Sequence, residues 1–185
     1  LFARIEEEWQ CPFEVFNDGD VTALAGAIAM KRTGILGMAM GSSEAVGYIN
    51  PKGALTGRIN ELAFAPVDLN PNAPKDEWSG DAGVGAMYFS QQAVDHLARL
   101  FGFKFPKSMK LPERLKVVQE AMEKHDEKAL RVYLMIGRYL ANAAAWYREF
   151  YDYSNLMVLG RVTSGFGGEV ILNTAKMGLE AVDPY

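Results

Sequence analysis

"GILGMAMGSSEAVGYINPKGAL", residues Gly34 to Leu55, is the stretch that decides the fold class. Two apolar segments flank Gly41-Ser42-Ser43, and the Asn-Pro-Lys-Gly run at Asn50 to Gly53 is a turn former, so the pattern predicts a strand hairpin and its exit. Upstream, Phe13 to Phe16 makes a short apolar run that reads as a strand. Asp20 is then placed to cap a helix carrying Val21, Leu24, Ala25 and Ile28 on one face. Downstream, Ala65 to Gly83 contains three prolines and no periodicity, which predicts a long loop, a candidate lid or rim.

The remainder is dominated by helical spacing. Val84, Met87, Val94, Leu97 and Phe101 recur every three, four or seven residues, with Gly102 as the stop. Leu111, Leu115, Val118 and Met122 define a second helix, in whose first turn Pro112 is tolerated. A third helix is expected from near Asp126 to about Tyr151. Its face Leu130, Leu134, Gly137, Ala141, Ala144 is small in the middle and invites a close neighbour. Asn155 to Gly160 reads as a strand, "VTSGFGG" as a flexible loop, and "EVILNTAKMGLEAV" as a final helix. The aromatic cluster Trp146, Tyr147, Phe150, Tyr151 and Tyr153 reads as core packing. With no repeat and no linker, residues 1–185 are expected to form a single α/β domain.

Composition excludes several function classes. Nineteen basic against 23 acidic residues give a net charge of −4, no footprint for nucleic acid or an anionic membrane. Cys11 is the only cysteine, so no internal disulfide is expected; with only His96 and His125 beside it, no zinc-ligand spacing exists. Apolar runs break well before ~18 residues and no basic leader opens the chain, so neither a membrane span nor a signal peptide is expected, and a cytoplasmic setting fits. The chain begins without Met, on "LFARIEEEWQ", as a piece of a longer protein would.

Three constellations carry chemistry. Asn17-Asp18-Gly19-Asp20 follows the first expected strand, where open α/β sheets bind ligands; a carboxylate there can take a proton from a substrate hydroxyl. The same residues also describe an ordinary turn in which Asp20 merely caps the next helix. Gly41-Ser42-Ser43 can cradle phosphate oxygens with backbone amides and a hydroxyl, or be an ordinary hairpin. In "LGRVTSGFGGEV", Leu159 to Val170, a strand passes through glycines into a helix start, which suits a nucleotide, although the G-x-G-x-x-G spacing is missing.

Taken in order, "VFNDGDVTALAG", "LGMAMGSSEAVGYINPKGALTGRINELAF" and "YLMIGRYLANAAAWYREF" leading into "YDYSNLMVLGRVTSGFGGEVIL" resemble the carboxy-terminal lobe of a ROK-family protein. That family contains sugar kinases and sugar-responsive repressors of the actin-like ATPase (ribonuclease H-like) superfamily. The resemblance implies a mixed sheet flanked by helices, a helix-rich insertion, and an amino-terminal lobe outside this chain. It implies that Asn17 holds a sugar hydroxyl, that Asp18 is the catalytic base, and that Glu61 of "RINELAF" binds the sugar. It further implies that Gly41 and Ser42, with Gly47 behind them, form the phosphate hairpin, and that Gly160, Ser164 and Gly165 form the adenosine-binding turn. ATP and Mg²⁺ are the implied cofactors, and a sugar and a nucleotide the implied partners.

Departures from the family pattern bear on activity. Phe64 stands where the motif has its His, and the cysteine-rich zinc loop is replaced by the cysteine-free "APVDLNPNAPKDEWSGDAGVG", so no zinc is expected. A further sugar-binding Glu would fall on Ala86, and Ser43 and Ala45 replace hairpin glycines. A buried sugar hydroxyl without a partner costs about 1–3 kcal/mol. The leading expectation is a carbohydrate kinase lobe, inactive as a fragment. A sugar-sensing regulator without turnover is the alternative. A third is an interaction domain whose helices from Val84 to Tyr151 supply a homodimer face.

Overall fold

The computed structural model describes residues 1–13 and 15–182. Its elements in chain order are α1 (Phe2–Trp9), α2 (Asp18–Met30), β1 (Ile35–Met40), β2 (Glu44–Ile49), α3 (Gln91–Leu100), α4 (Leu111–Glu123), α5 (Glu127–Tyr147), β3 (Asn155–Leu159) and α6 (Phe166–Val182). The three strands form one mixed sheet in the order β2-β1-β3. β1 pairs antiparallel with β2 from Ile35↔Ile49 to Met40↔Glu44, and parallel with β3 from Ile35↔Asn155 to Ala39↔Leu159. The hairpin is the expected one, closed by Gly41 N donating to Ser43 O at 2.9 Å, and Asn50 Oδ1 organises its exit by accepting from Lys52 and Ala54.

Alternation along the strands assigns the two faces. Leu36, Met38, Met40, Val46 and Tyr48 face the main core, packed against residues from α3, α4, α5 and α6. Ile35 and Ile49 face α2, with Gly37, Ala39, Ala45 and Gly47 between them. α5 and α6 approach closely at Gly137, where an added Cβ would lie 2.6 Å from Thr174 Cβ; Gly137, Ala141 and Ala144 are buried as expected, while Leu130 is 37% exposed.

Several boundaries move. No strand is formed by Phe13, Val15 and Phe16, and the fourth residue of that run, Glu14, lies outside the described residues. α2 starts three residues earlier than expected: Asn17 is the N-cap, its Oδ1 accepting from Gly19 N at 2.9 Å, because Asn is as good a cap as Asp and comes first in the chain. α2 also turns the other way. Gly19, Ala23 and Ala27 are buried, while Val21 and Ile28 are 52% and 70% exposed. The physical reason is distance: a Cβ on Gly47 would sit 2.0 Å from Gly19 O, and one on Gly19 would sit 2.3 Å from Val46 O. Only a helix face of Gly and Ala fits that close to the sheet, so the bulky face is left outward.

The stretch from Val84 splits into a 3₁₀ turn, Gly85–Met87, and α3, because Ser90 intervenes as a cap whose Oγ accepts from Gln92 N and donates to Ala86 O. α3 ends before Gly102, at φ 95°, as expected. α5 ends at Tyr147 instead of near Tyr151. Of the aromatic cluster beyond, Tyr147, Tyr151 and Tyr153 are buried, whereas Trp146 and Phe150 pair edge to face on the surface. No described helix is long and apolar enough to cross a membrane.

Candidate functional site

The contact between Gly19 and Gly47 holds the first turn of α2 against β2, and this brings the acid turn to the hairpin. Asn17, Asp18, Gly41, Ser42, Ser43, Glu44, Asn60, Glu61, Phe64 and Trp78 line one cavity of about 410 Å³. The two loops therefore share a cleft, although Asp18 stands at the first position of a helix and not at the end of a strand.

Two side-chain ties fix the cleft wall. Asn17 Nδ2 donates to Glu61 Oε1 at 3.4 Å, and Asn60 Nδ2 donates to Asp20 Oδ1 at 2.9 Å. Together they lash the start of α2 to residues 60 and 61, forty-odd positions away. Asp18 Oδ1 accepts from Gly19 N at 2.9 Å, which orients an exposed carboxylate. Acidic residues in a first helical turn also favour the helix dipole. Gly41 faces open space, since a Cβ there would meet only Ser43 O at 3.6 Å, and Ser42 and Ser43 are exposed beside it.

Gly160, Ser164 and Gly165 do not line this cavity. Gly160, at φ 110°, packs on the end of β1, where a Cβ would lie 2.5 Å from Met40 O, one residue from the hairpin; its carbonyl accepts from the Thr163 and Ser164 hydroxyls. Gly165, at φ 70°, precedes α6. The turn thus abuts the far side of the hairpin. Ala86 is buried.

Sequence reasoning missed Asn60, which ties Asp20 to the cleft wall, and two further residues of the cleft. Glu44 is 4% exposed, and neither carboxylate oxygen has a hydrogen-bond partner. It shares the core face of β2 with Val46 and Tyr48, and its Oε2 lies against Gly85, where an added Cβ would be 2.2 Å away. Burial pushes its carboxyl up from 4.5 to about 8. The Tyr147 hydroxyl, also buried and unpaired, is pushed far above its ordinary range, by burial first and then by Glu44. The period-two pattern of residues 44, 46 and 48 was the available signal. The second is Trp78, on the loop between residues 65 and 83, which packs on Phe64 with ring centroids 5.7 Å apart.

That loop is ordered by named bonds. Pro66 bridges to Val84 and Lys75 to Ala82, and the buried Asp76 side chain accepts from Trp78 N, Ser79 N and Gln92 Nε2. Burial raises the Asp76 carboxyl, but these hydrogen bonds outweigh it and leave the group below its ordinary value.

The open Gly41 cradle with its neighbouring hydroxyls fits an anionic phosphate. For a protein-held Mg²⁺ the fit is poor: among the described residues no three His, Cys, Asp or Glu side chains are grouped to hold a metal ion.

No known family profile and no curated protein matches the sequence. Solved structures do. A ROK hexokinase from Thermus thermophilus superposes with a TM-score of 0.73 at 18% identity, over 97% of this chain and 60% of its own. A ROK family glucokinase from Streptomyces griseus, solved with glucose and AMPPNP, gives 0.72 at 19% identity, over 98% and 62%. A ROK family transcriptional regulator, a homolog of the E. coli MLC protein, gives 0.76 at 18% identity, over 98% and 47%. The α/β fold of this chain, a mixed sheet flanked by helices, is the one these ROK-family structures share. The chain spans about half to three fifths of their length.

Proposed function

We propose that this chain is the carboxy-terminal lobe of a cytoplasmic, ROK-like carbohydrate kinase that transfers the γ-phosphoryl group of ATP to a sugar hydroxyl in the complete protein. The observation that supports it most is the shared cleft: Asn17, Asp18 and Glu61 face the Gly41-Ser42-Ser43 hairpin across one cavity. A sugar hydroxyl would donate to Asp18, which accepts its proton as the oxygen attacks phosphorus. Asn17 and Glu61, tied to each other, would hold the neighbouring hydroxyls. The hairpin backbone at Gly41, with the Ser42 hydroxyl, would receive phosphate oxygens, and the turn at Gly160, Ser164 and Gly165 the nucleoside. Mg²⁺ in the complete protein would supply charge neutralisation to the phosphates; the described residues offer no group of acids or histidines to hold it.

The test is a coupled ADP-release assay on the full-length protein with a panel of aldohexoses and N-acetylhexosamines. Sugar-dependent ADP release is expected. Asp18→Asn is expected to lower turnover by about 10²–10⁴-fold while sugar affinity changes little. Turnover that survives this substitution unchanged removes Asp18 from the mechanism. The second reading, a sugar-responsive regulator without turnover, is favoured by the apolar Phe64 and Ala86. Sugar that raises the melting temperature while nucleotide does not would select it.

A further inference from the structure

Within the cleft, Trp78 is 85% exposed, an unusual position for so large an apolar ring. It is nevertheless held in place. Asp76 Oδ2 accepts from Trp78 N at 3.1 Å and from Ser79 N at 2.7 Å, Asp76 O accepts from Gly80 N, and Asp76 Oδ1 accepts from Gln92 Nε2 at 3.0 Å, anchoring the turn to α3. The indole then leans on the half-buried Phe64 at an interplanar angle of 34°, so the two rings form one shallow apolar wall. Asn17, Asp18 and Glu61, all polar, line the same cavity.

A ligand matched to such a cavity is polar along its edge and apolar on one flat face. Pyranose rings have this character: their hydroxyls lie around the rim, and the axial C–H bonds on one face carry the partial positive charge that the negative face of an aromatic ring attracts. Charge narrows the class further. Asp18 and Glu61 line the cavity, Glu44 is held protonated by burial, and no Lys, Arg or His lines it among the described residues, so an anionic group carried by a sugar at this wall, unlike one seated on the Gly41 hairpin amides, meets like charge.

We propose that Phe64 and Trp78 form a stacking platform for the C–H face of a neutral carbohydrate ring and disfavour a phosphorylated one. The proposal rests on reading this cleft as a sugar site and adds the residues that select the face and charge of the sugar. Phe64 supports the indole and Asp76 fixes the turn that carries it.

The experiment measures sugar binding by calorimetry and tryptophan emission on the full-length protein, its Trp78→Ala and Trp78→Phe variants, and Asn17→Ala and Glu61→Ala. The panel is D-glucose, N-acetyl-D-mannosamine, other aldohexoses and disaccharides, glucose 6-phosphate, and AMPPNP alone. Because the Trp78 side chain is largely in solvent, both variants are expected to keep the wild-type melting temperature. A neutral sugar is expected to change the wild-type emission, and Trp78→Phe to abolish that change while keeping the affinity within about twofold. Trp78→Ala is expected to bind about tenfold more weakly. Unchanged affinity in Trp78→Ala, with binding lost in Asn17→Ala or Glu61→Ala, overturns the platform and leaves the sugar reading standing. Emission that responds to AMPPNP alone, or glucose 6-phosphate binding as well as glucose, also overturns it. Failure of every sugar to bind the wild-type protein refutes the sugar reading, and the platform with it.

Discussion

Glu44→Gln should remove a pH dependence of stability that the native protein builds in. In the unfolded chain Glu44 ionises near its ordinary 4.5, whereas in the fold its carboxyl stays protonated to about 8. Between those values the native state holds a proton that the unfolded state has released, so rising pH favours unfolding. The loss runs at about 1.4 kcal/mol per pH unit, starts near pH 4.5, ends near pH 8, and totals on the order of 5 kcal/mol. No carbonyl, amide or cation offsets it, since both oxygens lack partners and the adjacent Tyr147 hydroxyl is itself unpaired. Glutamine has the same shape and no ionisation in this range. Urea unfolding of both proteins from pH 5 to 8 gives the difference directly, and the contributions of all other groups cancel. The stability of Glu44→Gln relative to wild type should rise by about 3–4 kcal/mol across that span, whatever its offset at pH 5. A difference that stays flat with pH would show that Glu44 ionises normally and that water reaches it.

Other substitutions probe what positions the cleft. Gly47→Ala places a methyl group 2.0 Å from Gly19 O, so α2 must move; a loss of about 1–3 kcal/mol in urea unfolding is expected, with weakened sugar binding because Asp18 rides on that helix. Asp126→Ala removes the side chain that accepts from Lys128 N and Ala129 N at the start of α5, and should cost about 1 kcal/mol in the same assay without affecting the cleft. Tyr48→Phe deletes a 2.7 Å bond from the phenol to Asp152 O that ties β2 to the entrance of β3, for about 1 kcal/mol.

The hairpin, its Asn50 exit, the three long helices and the last strand-to-helix unit were legible in the sequence because local rules decide them. Alternation, caps such as Asp126, and stops such as Gly102 act within a few residues. The juxtaposition of Asp18 with Gly41 was legible through the order of motifs. What escaped was set by close approach. Residues 19, 23 and 27 of α2 read as weak apolar positions beside Val21, Leu24 and Ile28, and only the glycines of the opposing strand make the small face the buried one. Likewise, Asn17 outcompeted Asp20 as the cap, leaving Asp20 to hold Asn60. Trp78 lies in a segment without periodicity, so nothing local announced that Asp76 and Gln92 would pin it at the mouth of the cleft.

Because the main chains of α2 and β2 touch at Gly19 and Gly47, with no side chain between them, the start of α2 and the Gly41 hairpin have no room to slide against each other. The span between them works as a fixed ruler. On the proposed reading, any adjustment to ligands of different bulk falls to the opposite wall, and there to its outer part around Trp78, because residues 62, 65 and 67 of that segment are packed on the core while Trp78 is 85% exposed.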